Sequence, residues 1–403
     1  MTSNNSDLLL SARFLAPVSF EEDRAIASVM ETQSNLGRHV YCVLGVPVDA
    51  VNLSTVIQKI EAAAAHRVVF LISTPNLNFL MQSLSDPEFR ESLLDSDLCP
   101  PDGAPIIWIA RLLGLPIAER AAGADLLDRL DKLSGPPARP LKIFLFGGAK
   151  GVAAAAAERL NRHPGGLTCV GTMNPGFGDV GDMSQDHMIA AINSSGADFL
   201  VVSLGAKKGQ LWLRHNKHRL TIPVRSHLGA AINFQAGTLK RAPPIVRAWG
   251  LEWLWRIKEE PYLWKRYLAD GFGLLRLLST RVLPLVIITR WYQFRRIYQQ
   301  DLQIDMRQDY RSFIISLCGI ASEKHIPKAV AGFQEALASN KNVTIDLSKT
   351  RVIDARFFGL LLMLRKDLKI RGAKLIFTGM SRGVKRLFSL SELRFLLSEN
   401  APD

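Results

Sequence analysis

Four short segments hold residue types that can do chemistry. The first, Ser73-Thr74-Pro75-Asn76, directly follows the apolar run Val68-Val69-Phe70-Leu71-Ile72. Small polar side chains at the carboxyl end of a buried strand can hold a ligand's hydroxyls or phosphates. The same residues can equally cap the helix that carries Phe79 and Leu80. The second is Cys99-Pro100-Pro101-Asp102-Gly103. Asp102 on this turn is either a helix cap or a general base, and deprotonating an attacking hydroxyl needs one carboxylate rather than a pair. The third is Phe146-Gly147-Gly148-Ala149-Lys150-Gly151, a glycine loop between strand and helix whose N–H groups suit a phosphate. The fourth is Leu204-Gly205-Ala206-Lys207-Lys208-Gly209-Gln210, another strand-to-loop junction, now with two lysines. Two phosphate-compatible loops on one sheet point to a nucleotide-diphosphate donor.

Other clusters read as ordinary surface. Asp95-Ser96-Asp97 has the spacing of a metal–diphosphate motif but sits in a polar helix end before the turn. His215 and His218 lie among Arg214, Lys217 and Arg219, as on a solvated helix face. We expect neither a metal nor another cofactor. There is no Walker motif, GxGxxG, GxSxG, HExxH or kinase set, which removes the common hydrolase and kinase classes.

The elements that must position these residues alternate. Apolar runs at Val68–Ile72, Ile143–Phe146 and Phe199–Val202 have the length of strands buried on both faces, and helical stretches such as Gly151–Leu160 separate them. Such alternation predicts a parallel sheet covered on both sides, with its ligand beyond the strands' carboxyl ends. From 256 to 300, nine basic side chains face three acidic ones, with Trp264, Tyr267, Trp291 and Tyr292 interleaved. That mixture suits a helix in a lipid headgroup layer, a nucleic-acid patch, or a helical hairpin packed on its own domain. After Asp301 a small α/β unit follows, with strands at Phe313–Leu317, Val343–Leu347 and Lys374–Thr378.

The 403 residues are 48% hydrophobic and 22% charged, so cores can form and global disorder is excluded. The net charge of +13 favours phosphates or an anionic membrane. Four distant cysteines form no CxxC, which fits a reducing compartment. The N-terminus lacks a secretory signal, and no uncharged apolar run reaches the ~18 residues of a membrane span. We therefore expect a cytoplasmic chain, peripheral on the inner face of the cell membrane. Its parts would be a leader at 1–38, a main domain at 39–255, a basic aromatic appendage at 256–302 and a small domain at 303–403.

Taken together, from about Tyr41 to Leu268, these segments resemble the WecG/TagA/CpsF glycosyltransferases, glycosyltransferase family 26. The resemblance rests on Thr74-Pro75-Asn76, Pro101-Asp102-Gly103 with Trp108 and Arg111, and Arg120 with Gly123. It continues through Phe146-Gly147-Gly148, Pro175-Gly176-Phe177, Gly229-Ala230-Ala231, Arg241-Ala242-Pro243, Gly250-Leu251-Glu252-Trp253, Glu260-Pro261 and Arg266-Tyr267-Leu268. It implies a Rossmann-like sheet and inverting transfer from a UDP-sugar to a polyprenyl-diphosphate-sugar acceptor, without a catalytic metal. By position, Asp102 would be the base and Arg120 would offset charge on the leaving diphosphate. Thr74, Asn76, Gly147, Gly148, Lys208, Gln210 and Arg241 would hold substrate. Arg256, Lys265 and Arg266 would meet membrane or acceptor. One departure touches the donor side: the family's Gly-x-Pro-Lys-Gln-Glu reads Gly205-Ala206-Lys207-Lys208-Gly209-Gln210 here, so its glutamine falls on Gly209.

Residues 303–403 resemble a STAS domain through Val343–Ser348, Ile353-Asp354, Gly359-Leu360-Leu361 and Arg371–Leu375. Asp354-Ala355-Arg356 stands where regulated members carry a phosphorylatable serine, so that switch is not expected; a protein partner or a structural role is. The reading is a membrane-associated transferase of exopolysaccharide or envelope glycan, moving an N-acetylmannosamine-type sugar or glucose. The rival is a catalytically silent membrane scaffold that recruits partners through the STAS-like domain. No nucleic-acid recognition motif is present, so nucleic acid is not an expected partner.

Overall fold

The computed structural model describes residues 34–133, 139–162, 165–295, 300–310 and 312–398; the expected leader up to residue 33 lies outside them. Asn35–Gly37 form a 3-10 turn capped by Ser34, and Leu36 is buried.

Two short strands, β1 (Val40–Val43) and β2 (Val46–Asp49), pair antiparallel around Leu44-Gly45, both at positive φ, as a two-residue hairpin turn requires. The main sheet is wholly parallel. Its strands are β3 (Phe70–Ile72), β4 (Leu141–Gly147), β5 (Leu167–Met173), β6 (Phe199–Ser203) and β7 (Val224–His227), in the order β3-β7-β6-β4-β5. Side chains alternate across the sheet. Ile143, Leu145, Phe199 and Val201 pack with the helices Leu53–Ala65, Gly123–Asp131 and Val152–Arg162. Phe144, Phe146, Leu200 and Val202 pack on the other face with Ile189, Ile192 and Trp212. The expected strands are present, although the first is only Phe70–Ile72, with Val69 of its apolar run 52% exposed, and the order in which strands are added reverses between β4 and β6. That reversal opens a crevice beyond their carboxyl ends, where open α/β sheets bind ligands.

The C-terminal unit has its own sheet. β8 (Leu302–Gln308) pairs antiparallel with β9 (Ser312–Ala321), and β9, β10 (Asn342–Asp346), β11 (Thr350–Ile353) and β12 (Leu375–Thr378) are parallel in the order β11-β9-β10-β12. The sequence reading had missed β8 and β11. β8 is largely exposed beyond Leu302, and β11 is four residues long, so neither carries a strong apolar pattern.

Between the two units the chain is one continuous helix, not a hairpin. Trp264–Leu277 runs through a π-turn at Leu278–Val282 into Leu283–Phe294. Pro284 has no N–H to give the preceding turn, and the wider π geometry accommodates the missing bond. Leu274, Leu277, Val282 and Val286 pack on the N-terminal unit, and Ile288 and Tyr292 on the C-terminal one. The helix is thus a strap across both. By length and composition Pro261–Phe294 could cross a membrane, although its scattered charges leave no uncharged run of that length.

Candidate active site

Asp102 sits on the turn before the helix Ala104–Leu112, which Gly103 starts at φ +90°. The turn is pinned at both ends: Asp102 donates its N–H to Pro75 O at 2.8 Å, and Ala121 donates its N–H to Pro101 O at 2.9 Å. The first bond brings Thr74-Pro75-Asn76 against Pro101-Asp102-Gly103, two of the segments singled out in the sequence. Thr74 is buried. Asn76 serves the structural role as well, because its Oδ1 accepts the Phe79 N–H at 3.1 Å and caps the helix Leu77–Ser85.

No group among the described residues hydrogen-bonds to the Asp102 carboxylate. Burial pushes its pKa up to about 7; Arg120 and Arg241 pull the other way, while Glu252 and Asp125 add to the rise. A carboxyl poised there is half ionised at neutral pH and free to accept a proton.

Two arginines, Arg120 and Arg241, act on this carboxyl, and they and the neighbouring Arg247 and Arg256 already have carboxylate partners. Arg120 donates to Glu252 at 2.6 Å and to Asp125 at 3.3 Å. Arg241 pairs with Asp125 at 2.5 Å and Asp128 at 2.8 Å, and Arg247 reaches Asp125 at 3.3 Å. Arg256 pairs with Glu260. Arg241 and Arg256 each keep a buried Nε without a partner, and both guanidiniums lie over the Phe234 ring. Arg120, Arg241 and Arg247 are therefore not bare cations but share Asp125, with Glu252 and Asp128 as further partners. Asp125 and Glu252 escaped the sequence reading; Glu252 lay inside a quoted motif, while Asp125 carried no signal.

The glycine loops are less open than their composition implied. Gly147 has φ +100° and packs on the Ser203 carbonyl, and the Gly148 N–H already donates to Ser203 O at 2.7 Å. Lys208 spends its ammonium on Gly178 O at 2.7 Å. Gln210 points inward: its Oε1 accepts from Ser73 Oγ at 3.1 Å, while its Nε2 is buried without a partner. Beside it lies His227, at the end of β7, 3% exposed and with both ring nitrogens unpartnered. Nothing in the residue pattern had singled out His227. Asp95 and Asp97, with their metal-like spacing, bind lysines instead: Lys369 at 3.1 Å and Lys366 at 2.7 Å. Lys265 and Arg266 are exposed beside Trp264 and Tyr267. A cavity of about 310 Å³ lies elsewhere, at the seam between the units, lined among others by Tyr41, Leu115, Tyr292, Glu323 and Asp354 and not by Asp102.

An N-acetylglucosaminyldiphosphoundecaprenol N-acetyl-beta-D-mannosaminyltransferase of Bacillus spizizenii is 28% identical over 49% of this chain and 74% of its own. The enzyme of the same name from Bacillus subtilis is 25% identical over 54% of this chain and 83% of its own. That from Staphylococcus aureus is 24% identical over 56% and 85%. Residues 304–398 match the family described as "Mlab, STAS domain". A solved STAS domain, the antisigma-factor antagonist from Rhodobacter sphaeroides, is 24% identical over 21% of this chain and 94% of its own, with a TM-score of 0.17. Residues 41–285, well over half of the chain, match the glycosyl transferase WecG/TagA/CpsF family, and the chain belongs to that family.

Proposed function

We propose that this enzyme transfers an N-acetylmannosamine-type sugar from a UDP-sugar to a polyprenyl-diphosphate-linked sugar, with inversion, in the synthesis of an exopolysaccharide or related envelope glycan. The observation that carries the reading is Asp102: a carboxyl without hydrogen-bond partners among the described residues, poised near pH 7, on a turn joined to Thr74–Asn76. In the step, the acceptor hydroxyl oxygen attacks the anomeric carbon from the face opposite the diphosphate. The new C–O bond forms as the bond to the phosphate oxygen breaks, UDP leaves with that electron pair, and Asp102 takes the hydroxyl proton. Arg120 and Arg241 turn from Asp125 and Glu252 to the departing diphosphate. Thr74 and Asn76 orient the sugar. The N-acetylmannosaminyl group and the N-acetylglucosaminyldiphosphoundecaprenol acceptor for which the relatives are named support this transferred sugar and acceptor.

The parts divide the work at 39–255, 256–302 and 303–403. The strap helix holds the enzyme at the membrane surface where a lipid-linked acceptor resides. Its outward face is a ladder of exposed apolar side chains, Trp264, Leu268, Phe272, Leu275, Leu283, Ile287, Trp291 and Phe294, at helical spacing. The inward face is packed on protein along its length, including Asp270 bonded to Asn78 at 3.3 Å. A helix covered on one side by protein and apolar on the other lies in the interface plane.

A panel of UDP-sugars offered with a polyprenyl-diphosphate-N-acetylglucosamine analogue, followed by product mass and UDP release, tests the reading. One donor yielding a lipid-linked product supports it. Absence of both transfer and UDP binding sinks it in favour of a scaffold.

A further inference from the structure

The helix Ala355–Ile370 of the STAS unit is buried almost without a break from Arg356 to Leu368. A helix buried on every side needs two covering surfaces. One is its own sheet; the other is the β1–β2 hairpin and the segment Leu94–Asp97 of the transferase unit. Gly359 lies so close to β1 that a Cβ there would overlap the Val40 carbonyl oxygen, an approach that only glycine permits. One turn earlier, Arg356 donates from Nη1 to Val40 O and from Nη2 to Arg38 O, both at 3.1 Å. Two turns later Lys366, 5% exposed, donates from Nζ to Ser96 O at 2.9 Å and to Asp97 Oδ1 at 2.7 Å. Arg365 and Lys369 flank it, reaching Glu91 at 2.8 and 2.6 Å.

The groups that Lys366 holds belong to the frame of the active site. Asp97 Oδ2 accepts the Leu71 N–H of β3 at 2.9 Å, and Ser96 Oγ lies 2.7 Å from Ser73 Oγ, next to Thr74. Further along the same segment, the Cys99 N–H donates to Asp49 Oδ2 at 2.6 Å, and Arg38 secures Asp49 at 2.7 Å. The segment ends at Asp102, bonded to Pro75 O. Seven residues of chain therefore run from the Ser96 carbonyl that Lys366 grips to the carboxyl that takes the proton. A buried ammonium with two acceptors is a stiff tie, since removing it leaves Asp97 without its counter-charge.

We propose that the docking partner of this STAS domain is the transferase domain of its own chain, and that Lys366 is a positioning residue that locks Ser96–Asp97 and thereby the turn presenting Asp102. The catalytic half of this proposal rests on the base reading of Asp102. The interface is used from within: Arg356 grips the hairpin, and Tyr41 of β1 donates to Glu323 Oε1 at 2.7 Å beside Asp354.

The test uses the full chain with Lys366→Met and Lys366→Arg, and with Tyr310→Ala on the exposed far side of the STAS unit as control. Amide hydrogen exchange over residues 97–102 reads the tie, UDP affinity reads the donor site, and steady-state kinetics read the base. Lys366→Met is expected to speed exchange at Cys99 and Asp102 about 10-fold. It should lower kcat about 10²-fold, as misplacement of a reacting group by about 1 Å does, with UDP affinity unchanged. Lys366→Arg recovers most of both effects, and the control changes neither. Unchanged exchange over 97–102 in folded Lys366→Met overturns the tie, whatever the activity. Faster exchange with unchanged kcat upholds the tie and overturns the base reading of Asp102. Should Lys366→Met fail to fold, Asp97→Asn keeps the Leu71 bond while removing the counter-charge, and the same readouts decide.

Discussion

Gly209 and His227 share one space. A Cβ on residue 209 would overlap Cδ2 of the His227 ring, which is itself 3% exposed and unpartnered at both nitrogens. The absence of glutamine at 209, read in the sequence as a departure from the family pattern, thus has a physical counterpart in the His227 ring packed against it. Gly209→Gln is expected to destabilise the fold by about 1–3 kcal/mol through overpacking, and His227→Gly in the same chain to restore most of it. Thermal melts of the two single variants and the double variant check this. Additive single effects would mean that the two positions do not compete for the space.

The same histidine sets an acid limb. Burial pushes its pKa down to about 4 from an ordinary 6.5. The unfolded chain therefore binds more protons between those values, and stability falls as pH drops from about 6.5 to 4. His227→Gln should flatten the dependence of melting temperature on pH across that window.

Removing the base should separate binding from turnover. Asp102→Asn is expected to lower kcat by about 10²–10⁴-fold with UDP affinity intact. Stability should move the other way. Folding holds the Asp102 proton up to about pH 7, so ionisation across roughly pH 4 to 7 costs stability. The asparagine variant should melt about 2–4 °C higher at pH 8. A variant that keeps near-wild-type turnover removes Asp102 from its role.

The pH profile of kcat/KM offers a signed test. The base acts ionised, so the profile should rise to a plateau above about pH 7. Arg120 holds the Asp102 pKa down and Glu252 raises it. Arg120→Gln should therefore move the limb to higher pH, and Glu252→Gln to lower pH. Limbs that shift in the same direction would break the link between these charges and the proton transfer.

At the membrane, Phe272→Glu combined with Ile287→Glu places two charges on the exposed face of the strap without touching its packed side. Sedimentation with vesicles containing anionic lipid should show loss of binding. In the wild-type chain, binding should weaken as salt screens the surrounding Lys and Arg. Unchanged sedimentation of the double variant would place the contact elsewhere.

Much of this was legible from the residues alone. Strand runs such as Phe199–Val202 are apolar at every position because the sheet buries both faces, so local pattern and tertiary outcome coincide. Thr74, Asn76 and Asp102 could be singled out as candidates because strand ends and turns mark α/β sites, whereas Arg120 came only through the family resemblance. What pairs with what could not be found. The Asp125 and Glu252 partners of Arg120 lie 5 and 132 residues away in sequence, and ion pairs leave no periodic trace.

The residues by themselves determined the parallel sheet, the basic apolar strap and the small C-terminal unit, because hydrophobic periodicity and composition are properties of short windows. Tertiary structure alone decided that the Gly148 amide is spent on Ser203, that His227 fills the space above Gly209, and that Lys366 reaches Ser96 and Asp97 some 270 residues upstream. These are contacts between distant parts of the chain. Their energies depend on burial and distance, which exist only once the chain has folded.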